Sequence, residues 1–171
     1  MPDRELLSLE PIADDPEVGR WLAALEDSRR DTLLALEGAA DETVDVVPEW
    51  SDNSLGSLLY HVALVEADWL LADIFGHESA TESEPALLPF TDRDDEGRLT
   101  HVPGETIAQH LERLEAVRMI LLDRLRPMPS PDFHMPRSRE RYDVTPAWVV
   151  HHLLQHEAEH RSEIVRLRSE R

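Results

Sequence analysis

The stretch Val149-Val150-His151-His152-Leu153-Leu154-Gln155-His156-Glu157-Ala158-Glu159-His160 decides how this chain is read. It places four histidines within ten residues. His152, His156 and His160 are spaced four apart, so on a helix they climb one face, one per turn. Two imidazoles one turn apart can bind one metal ion. Thr145-Pro146 opens the helix in the preferred order, a capping hydroxyl followed by proline at the first position. We expect it to run to about residue 168, with Val149, His152 or Leu153, His156, His160, Ile164 and Leu167 along the core-facing side.

Three further helices are expected upstream. Asp15 is placed to cap a first helix over about 16–40, with Pro16 in its first turn and Gly38 near its end. Val18, Trp21, Leu22, Leu25, Leu33, Leu36 and Ala40 recur there at helical spacing. The second helix is expected over about 54–75, from Ser54 (or Asp52 or Asn53) as cap to Gly76 as stop. Its inner stripe reads Leu58, His61, Val62, Val65, Trp69 and Ala72. A third, over about 104–126, shows Ile107, Leu111, Leu114, Val117, Ile120, Leu121 and Leu125 on one face. Residues 1–15 read as an arm, and Val44–Val47 as a short extended piece at most. Residues 76–103 hold no persistent period and read as a long irregular crossover with a short turn near Ala86–Phe90, functional or disordered. The expected fold is all-α, one domain over 1–171 built as a four-helix bundle over about 17–168.

With 171 residues, 41% apolar and 31% charged, the chain has the composition of a globular domain. No apolar run is read as approaching the roughly 20 residues of a membrane span. The charged start, Met1 to Glu5, lacks the apolar centre of a secretory signal, so a cytoplasmic location and no membrane are expected. A net charge of −19 argues against nucleic acid, which calls for a basic surface. Lysine is absent, and arginines gather toward the C-terminal end. Without cysteine, a metal must be held by His, Asp or Glu, and any thiol must come from outside.

His156 and His160 lie on the inner stripe, where unpartnered imidazoles are costly. A metal removes that cost, and a further ligand should come from a facing helix. His61 on the second helix is the natural choice. Three imidazoles leave open positions for water or substrate. His152 either lines the pocket one turn earlier or caps the bundle. His151 should face away, and His77, His101, His110 and His134 fall in loops or on exposed faces. The competing reading has these histidines as hydrogen-bonded core residues.

His156-Glu157-Ala158-Glu159-His160 also spells H-E-x-x-H, which in zinc peptidases makes the glutamate a general base. The context does not fit. Arg166 stands where one peptidase class has its third histidine, Glu163 and Glu170 are the only acids in the eleven residues after His160, and no sheet is expected to hold a peptide. Peptidase chemistry is not expected.

Trp50, then Ser54-Leu-Gly-Ser-Leu-Leu-Tyr-His61-Val-Ala-Leu-Val-Glu66, and His152-Leu-Leu-Gln-His156-Glu-Ala-Glu-His160-Arg together resemble the DinB-like family of small four-helix-bundle metalloproteins. The resemblance covers about 17–168. It implies an up-down-down-up bundle with a long crossover between helices 2 and 3, a divalent metal (commonly zinc or nickel) on His61, His156 and His160, and frequent homodimers. Many relatives have Gly two positions after the last histidine; here Ser162 stands there. Relatives include transferases and isomerases that use bacillithiol, mycothiol or glutathione, among them mycothiol-dependent maleylpyruvate isomerase.

The first functional reading is therefore a metal-dependent enzyme acting on a small-molecule electrophile, with a low-molecular-weight thiol as cosubstrate. Glu66 and Glu157 would serve as acid–base groups or as partners orienting the imidazoles. Arg139, Arg141 and Tyr142, with Arg137 nearby, would bind an anionic substrate from the loop entering the last helix. A second reading is a non-catalytic metal or small-molecule binder of the same fold, and a third a purely structural bundle.

Overall fold

The computed structural model describes residue 4 and residues 6–169, so part of the arm expected over 1–15 lies outside the described residues. Each long helix begins where a side chain supplies the missing acceptor for a free N–H group. Asp15 accepts from Glu17 and Val18 and starts α1 (Pro16–Leu36). A single turn, α2 (Asp41–Val44), follows. Ser54 accepts from Ser57 at the head of α3 (Leu55–Asp68). After the short α4 (Ala80–Ser83), Thr106 and Gln109 form a capping box for α5 (Ile107–Leu125). The short α6 (Ser130–Phe133) and a minimal hairpin, β1 (Arg137–Ser138) against β2 (Asp143–Val144), precede α7 (Pro146–Arg168). Thr145 caps α7 by accepting from Trp148.

Several boundaries differ from expectation. α1 stops at Leu36, short of residue 40, because the chain turns left-handed at Gly38 (φ +78°). Of the piece expected at Val44–Val47, Val44 instead closes the α2 turn. The second helix does not run on as one α-helix, since Trp69–Ile74 widens into a π-helix before Gly76 ends it at φ +71°. There His77 N–H bonds the Leu71 carbonyl. The third helix begins at Ile107, where the Thr106 hydroxyl supplies the first acceptor.

The long helices pack pairwise, α1 on α7 and α3 on both α5 and α7. α3 is buried almost all round rather than along one stripe, which is the pattern of a helix enclosed by others. The residues 55–74 do reach membrane-spanning length and composition (20 residues, mean hydropathy 1.3), contrary to expectation, and 78% of that apolar window is buried inside the fold. The crossover covers its remaining side through buried Ala80, Leu88, Leu99 and Val102. The Tyr60 hydroxyl donates to the Phe90 carbonyl (2.6 Å) and accepts from the Phe90 N–H (2.8 Å), fastening the crossover to α3.

Four charged side chains, one from each long helix, meet inside this core. Arg29 of α1 donates to Glu66 of α3 (2.8 Å) and to Glu157 of α7 (2.7 Å). Arg118 of α5 donates to Glu66 (2.7 Å) and Glu157 (3.2 Å). Spare N–H groups reach the Leu114 and Leu25 carbonyls. All four residues are 5% exposed or less. Burial alone would push the Glu66 carboxyl up; Arg118 and Arg29 outweigh it and hold the group below its ordinary 4.5.

Removing one partner leaves an uncompensated buried charge, so Arg118→Met should cost roughly 3–5 kcal/mol in urea unfolding; a loss under about 1 kcal/mol would show the network to be dispensable. A carboxyl whose folded pKa is depressed adds stability that is present above its unfolded pKa and lost as pH falls through the folded value. The stability gap between wild type and Glu66→Gln should therefore be full at neutral pH and close below about pH 4.5. A gap independent of pH contradicts the assignment.

Candidate metal centre

The four-residue spacing on α7 turns His152, His156 and His160 to one side of that helix, and His156 and His160 meet His61, which projects from the middle of α3. The rings of His61, His156 and His160 form a triangle with centroids 4.9, 4.9 and 4.5 Å apart. One nitrogen from each lies within 4.8 Å of the others. His61 is buried, and the other two are half-buried. They flank the core line of α7, which runs through Val149, Val150, Leu153, Glu157 and Ile164, rather than lying on it as expected. That places the imidazoles at the edge of the core, facing a cavity.

Two of the three rings are aimed by carboxylates. His61 Nδ1 stands 2.5 Å from Asp92 on the crossover, and His160 Nδ1 stands 3.0 Å from Glu163, one turn on in α7. A carboxylate accepts, so each Nδ1 carries the proton and the Nε2 lone pair is freed for the centre. His61 Nε2 faces His156 Nε2 at 3.0 Å. Two such nitrogens need a proton between them, or a cation that both lone pairs can bind. Burial, followed by the adjacent His160 and His61 rings, pushes the His156 pKa down to about 3, which keeps that imidazole neutral, the form that binds metal. Burial raises Asp92, but the bond and charge of His61 outweigh it and leave Asp92 below its ordinary value. Metal–nitrogen bonds of about 2.0–2.1 Å set ligand nitrogens roughly 3.3 Å apart in a tetrahedral site. The His61 and His156 Nε2 atoms, 3.0 Å apart, are already near that spacing, and all three rings offer a nitrogen within 4.8 Å of the others. The donor set therefore fits a divalent ion of imidazole preference.

These rings line a cavity of about 570 Å³, together with His152, Trp69, Arg93, Arg98 and Glu163 among others. His152 belongs to the wall: it stacks on Trp148 (5.1 Å, 9°) and meets Trp69 edge-on (4.9 Å). His151 is exposed and touches Trp21 edge-on. Glu66 and Glu157 bond Arg29 and Arg118 in the core, and the groups that contact the imidazoles are Asp92 and Glu163. Arg139 donates twice to the Asp73 carbonyl, and Tyr142 donates to the Asp73 carboxylate (2.6 Å). Neither these two nor Arg141 lines the histidine cavity, whose arginines are Arg93 and Arg98 from the crossover. His110, expected on an exposed face, is buried on α5 beside Arg113.

Some of what was missed had a signal. Glu163 lies three residues after His160, a spacing that brings helical side chains together. Arg29 and Arg118 interrupt apolar stripes at core positions, after Leu25 and between Leu114 and Leu121. Asp92 had none, because its segment is aperiodic and its partner is 31 residues away.

The sequence model of the DinB superfamily matches residues 24–164. The chain belongs to the DinB superfamily. The matched span runs from α1 into α7 and contains all three clustered histidines together with Asp92 and Glu163. No curated protein matches the chain.

Loss of a carboxylate that orients a metal-binding imidazole typically weakens affinity 10–100-fold. Asp92→Ala should do so for zinc in competition with a chromophoric chelator, while exposed Asp95→Ala should bind as wild type does. Equal affinities for the two variants would remove Asp92 from the site.

Proposed function

We propose that the chain is a divalent-metal-dependent enzyme that joins or rearranges a small electrophile with a low-molecular-weight thiol, its metal held by His61, His156 and His160. The observation that carries this reading is the convergence of three imidazoles, two of them backed by carboxylates, on one cavity. Zinc and nickel are the ions we favour, since imidazole suits both. We also infer the up-down-down-up order of the long helices, with 76–103 as the crossover.

A bound divalent ion lowers the pKa of a thiol or water ligand and so supplies a nucleophile at neutral pH. The chain's own groups do the rest. Asp92 and Glu163 keep the Nδ1 protons of His61 and His160 in place, so that the facing nitrogens stay free. Glu66 and Glu157 hold α3 and α7 in rotation through the arginines behind the site. Arg93 and Arg98 stand at the cavity wall, where a carboxylate on thiol or substrate can reach them. The thiol must be a cosubstrate, because the chain has no cysteine.

Protein purified without an affinity tag should carry about one zinc or nickel per chain by elemental analysis, and His61→Ala should carry almost none. The loaded protein should then accelerate thioether formation between a chloronitrobenzene and bacillithiol, mycothiol or glutathione. No metal in wild type, even after zinc or nickel is added, overturns the reading. Metal without turnover of any thiol favours the non-catalytic binder instead.

A further inference from the structure

A second cavity, of about 340 Å³, opens beside the first and is lined by Trp69, Tyr142, Asp143, Val144, Thr145 and Trp148. Trp69 lines both. Two of the chain's 4 tryptophans and one of its 2 tyrosines are gathered here, with Trp148 48% and Tyr142 46% exposed. The rings lie close, Trp69 to Trp148 at 5.3 Å and Trp69 to Tyr142 at 6.2 Å. His152 links this wall to the metal centre, stacked on Trp148 and 6.0 Å from His156.

Contacts beyond His152 also hold these walls in place. Trp69 begins the π-helical segment, a distortion that recurs at functional sites. Arg139 grips the Asp73 carbonyl in that segment, and the Tyr142 hydroxyl is tied to the Asp73 carboxylate, so the β1–β2 hairpin is clamped to the π segment. The Thr145 hydroxyl is committed to the Trp148 N–H. The cavity offers mainly ring faces and Val144, with the Asp143 carboxylate at its wall. Among the described residues Asp143 is the one charged residue on that wall, while Asp73, Arg139 and Arg141 act on Tyr142 from outside the lining. An anion is disfavoured beside Asp143, whereas an uncharged ring gains stacking and apolar burial.

We propose that this aromatic cavity is a substrate subsite that takes a neutral aryl group, so that the small molecule treated at the metal carries an aromatic ring a few bonds from its reactive end. The inference rests on the metal-enzyme reading above. It gives Tyr142 a ring-face contact with the substrate and makes Arg139 the positioning residue behind it.

Two chelators with one metal-binding head separate the possibilities. Acetohydroxamate ends at a methyl group, and 3-phenylpropanohydroxamate carries a ring on a short arm. Their Kd values are read from the visible absorption of cobalt(II)-loaded protein. The aryl chelator should bind about 10–100-fold more tightly, the worth of burying one ring. Trp148→Ala and Tyr142→Ala should each erase most of that difference, while the acetohydroxamate Kd and the cobalt spectrum, which report an intact fold and site, stay as in wild type. Equal Kd values for the two chelators in a cobalt-loaded wild type overturn the subsite and leave the metal reading standing. Failure of wild type to take up cobalt overturns both. If Trp148→Ala turns a dimer into a monomer in sedimentation without changing the chelator ratio, the ring face is a contact between copies, and the subsite is likewise overturned.

Discussion

The buried quartet of Arg29, Glu66, Arg118 and Glu157 is the interaction on which the rest of the structure depends. Each long helix supplies one member, and each guanidinium contacts both carboxylates. Buried charges tolerate little displacement, because attraction replaces lost hydration only when geometry is good and the remaining hydrogen-bonding groups are satisfied. An apolar core of the same volume could slide or rotate by part of a turn at small cost. This one cannot, since rotating any helix would leave a charge unpaired in the interior.

That constraint reaches the histidines directly. Glu66 lies on α3 a little over one turn beyond His61, and Glu157 is the neighbour of His156 on α7. Fixing the two glutamates fixes how α3 and α7 are turned, and so where His61 meets His156 and His160. The acids nearest the histidines in sequence thus act from the core side of their helices. Orientation of the rings falls to Asp92 and Glu163. The crossover that carries Asp92 is itself anchored through Tyr60 and Phe90 and through Arg113, which donates to the Leu87 carbonyl. A long aperiodic segment therefore serves the site by delivering one carboxylate and two arginines to it.

Around this centre the fold sorts its aromatics. Trp50 lies under the Arg166 guanidinium at 3.6 Å, and Trp21 packs near His151. Trp69 and Trp148 instead frame His152. Widening of the helix after Asp68 is what sets Trp69 between the two cavities and turns the Asp73 carbonyl to Arg139. The candidate substrate loop of the sequence is in this way tied down by its arginine, and what it offers is the ring of Tyr142.

The sequence by itself determined the helices and the face on which the histidines recur. Asp15, Ser54 and Thr145 are local caps, apolar residues recur every three or four positions, and His156 and His160 fall one turn apart whatever the helix packs against. Membership of the DinB superfamily is legible as well, through motifs on two helices taken together and a match over residues 24–164. Only the tertiary structure decided which groups those motifs meet. Arg29 and Glu157 are 128 residues apart, Glu66 and Arg118 are 52 apart, and Asp92 reaches His61 from an aperiodic crossover. Contacts of that kind leave no spacing to read, because a helix records its own period and not the identity of the side chain that packing brings across from another element.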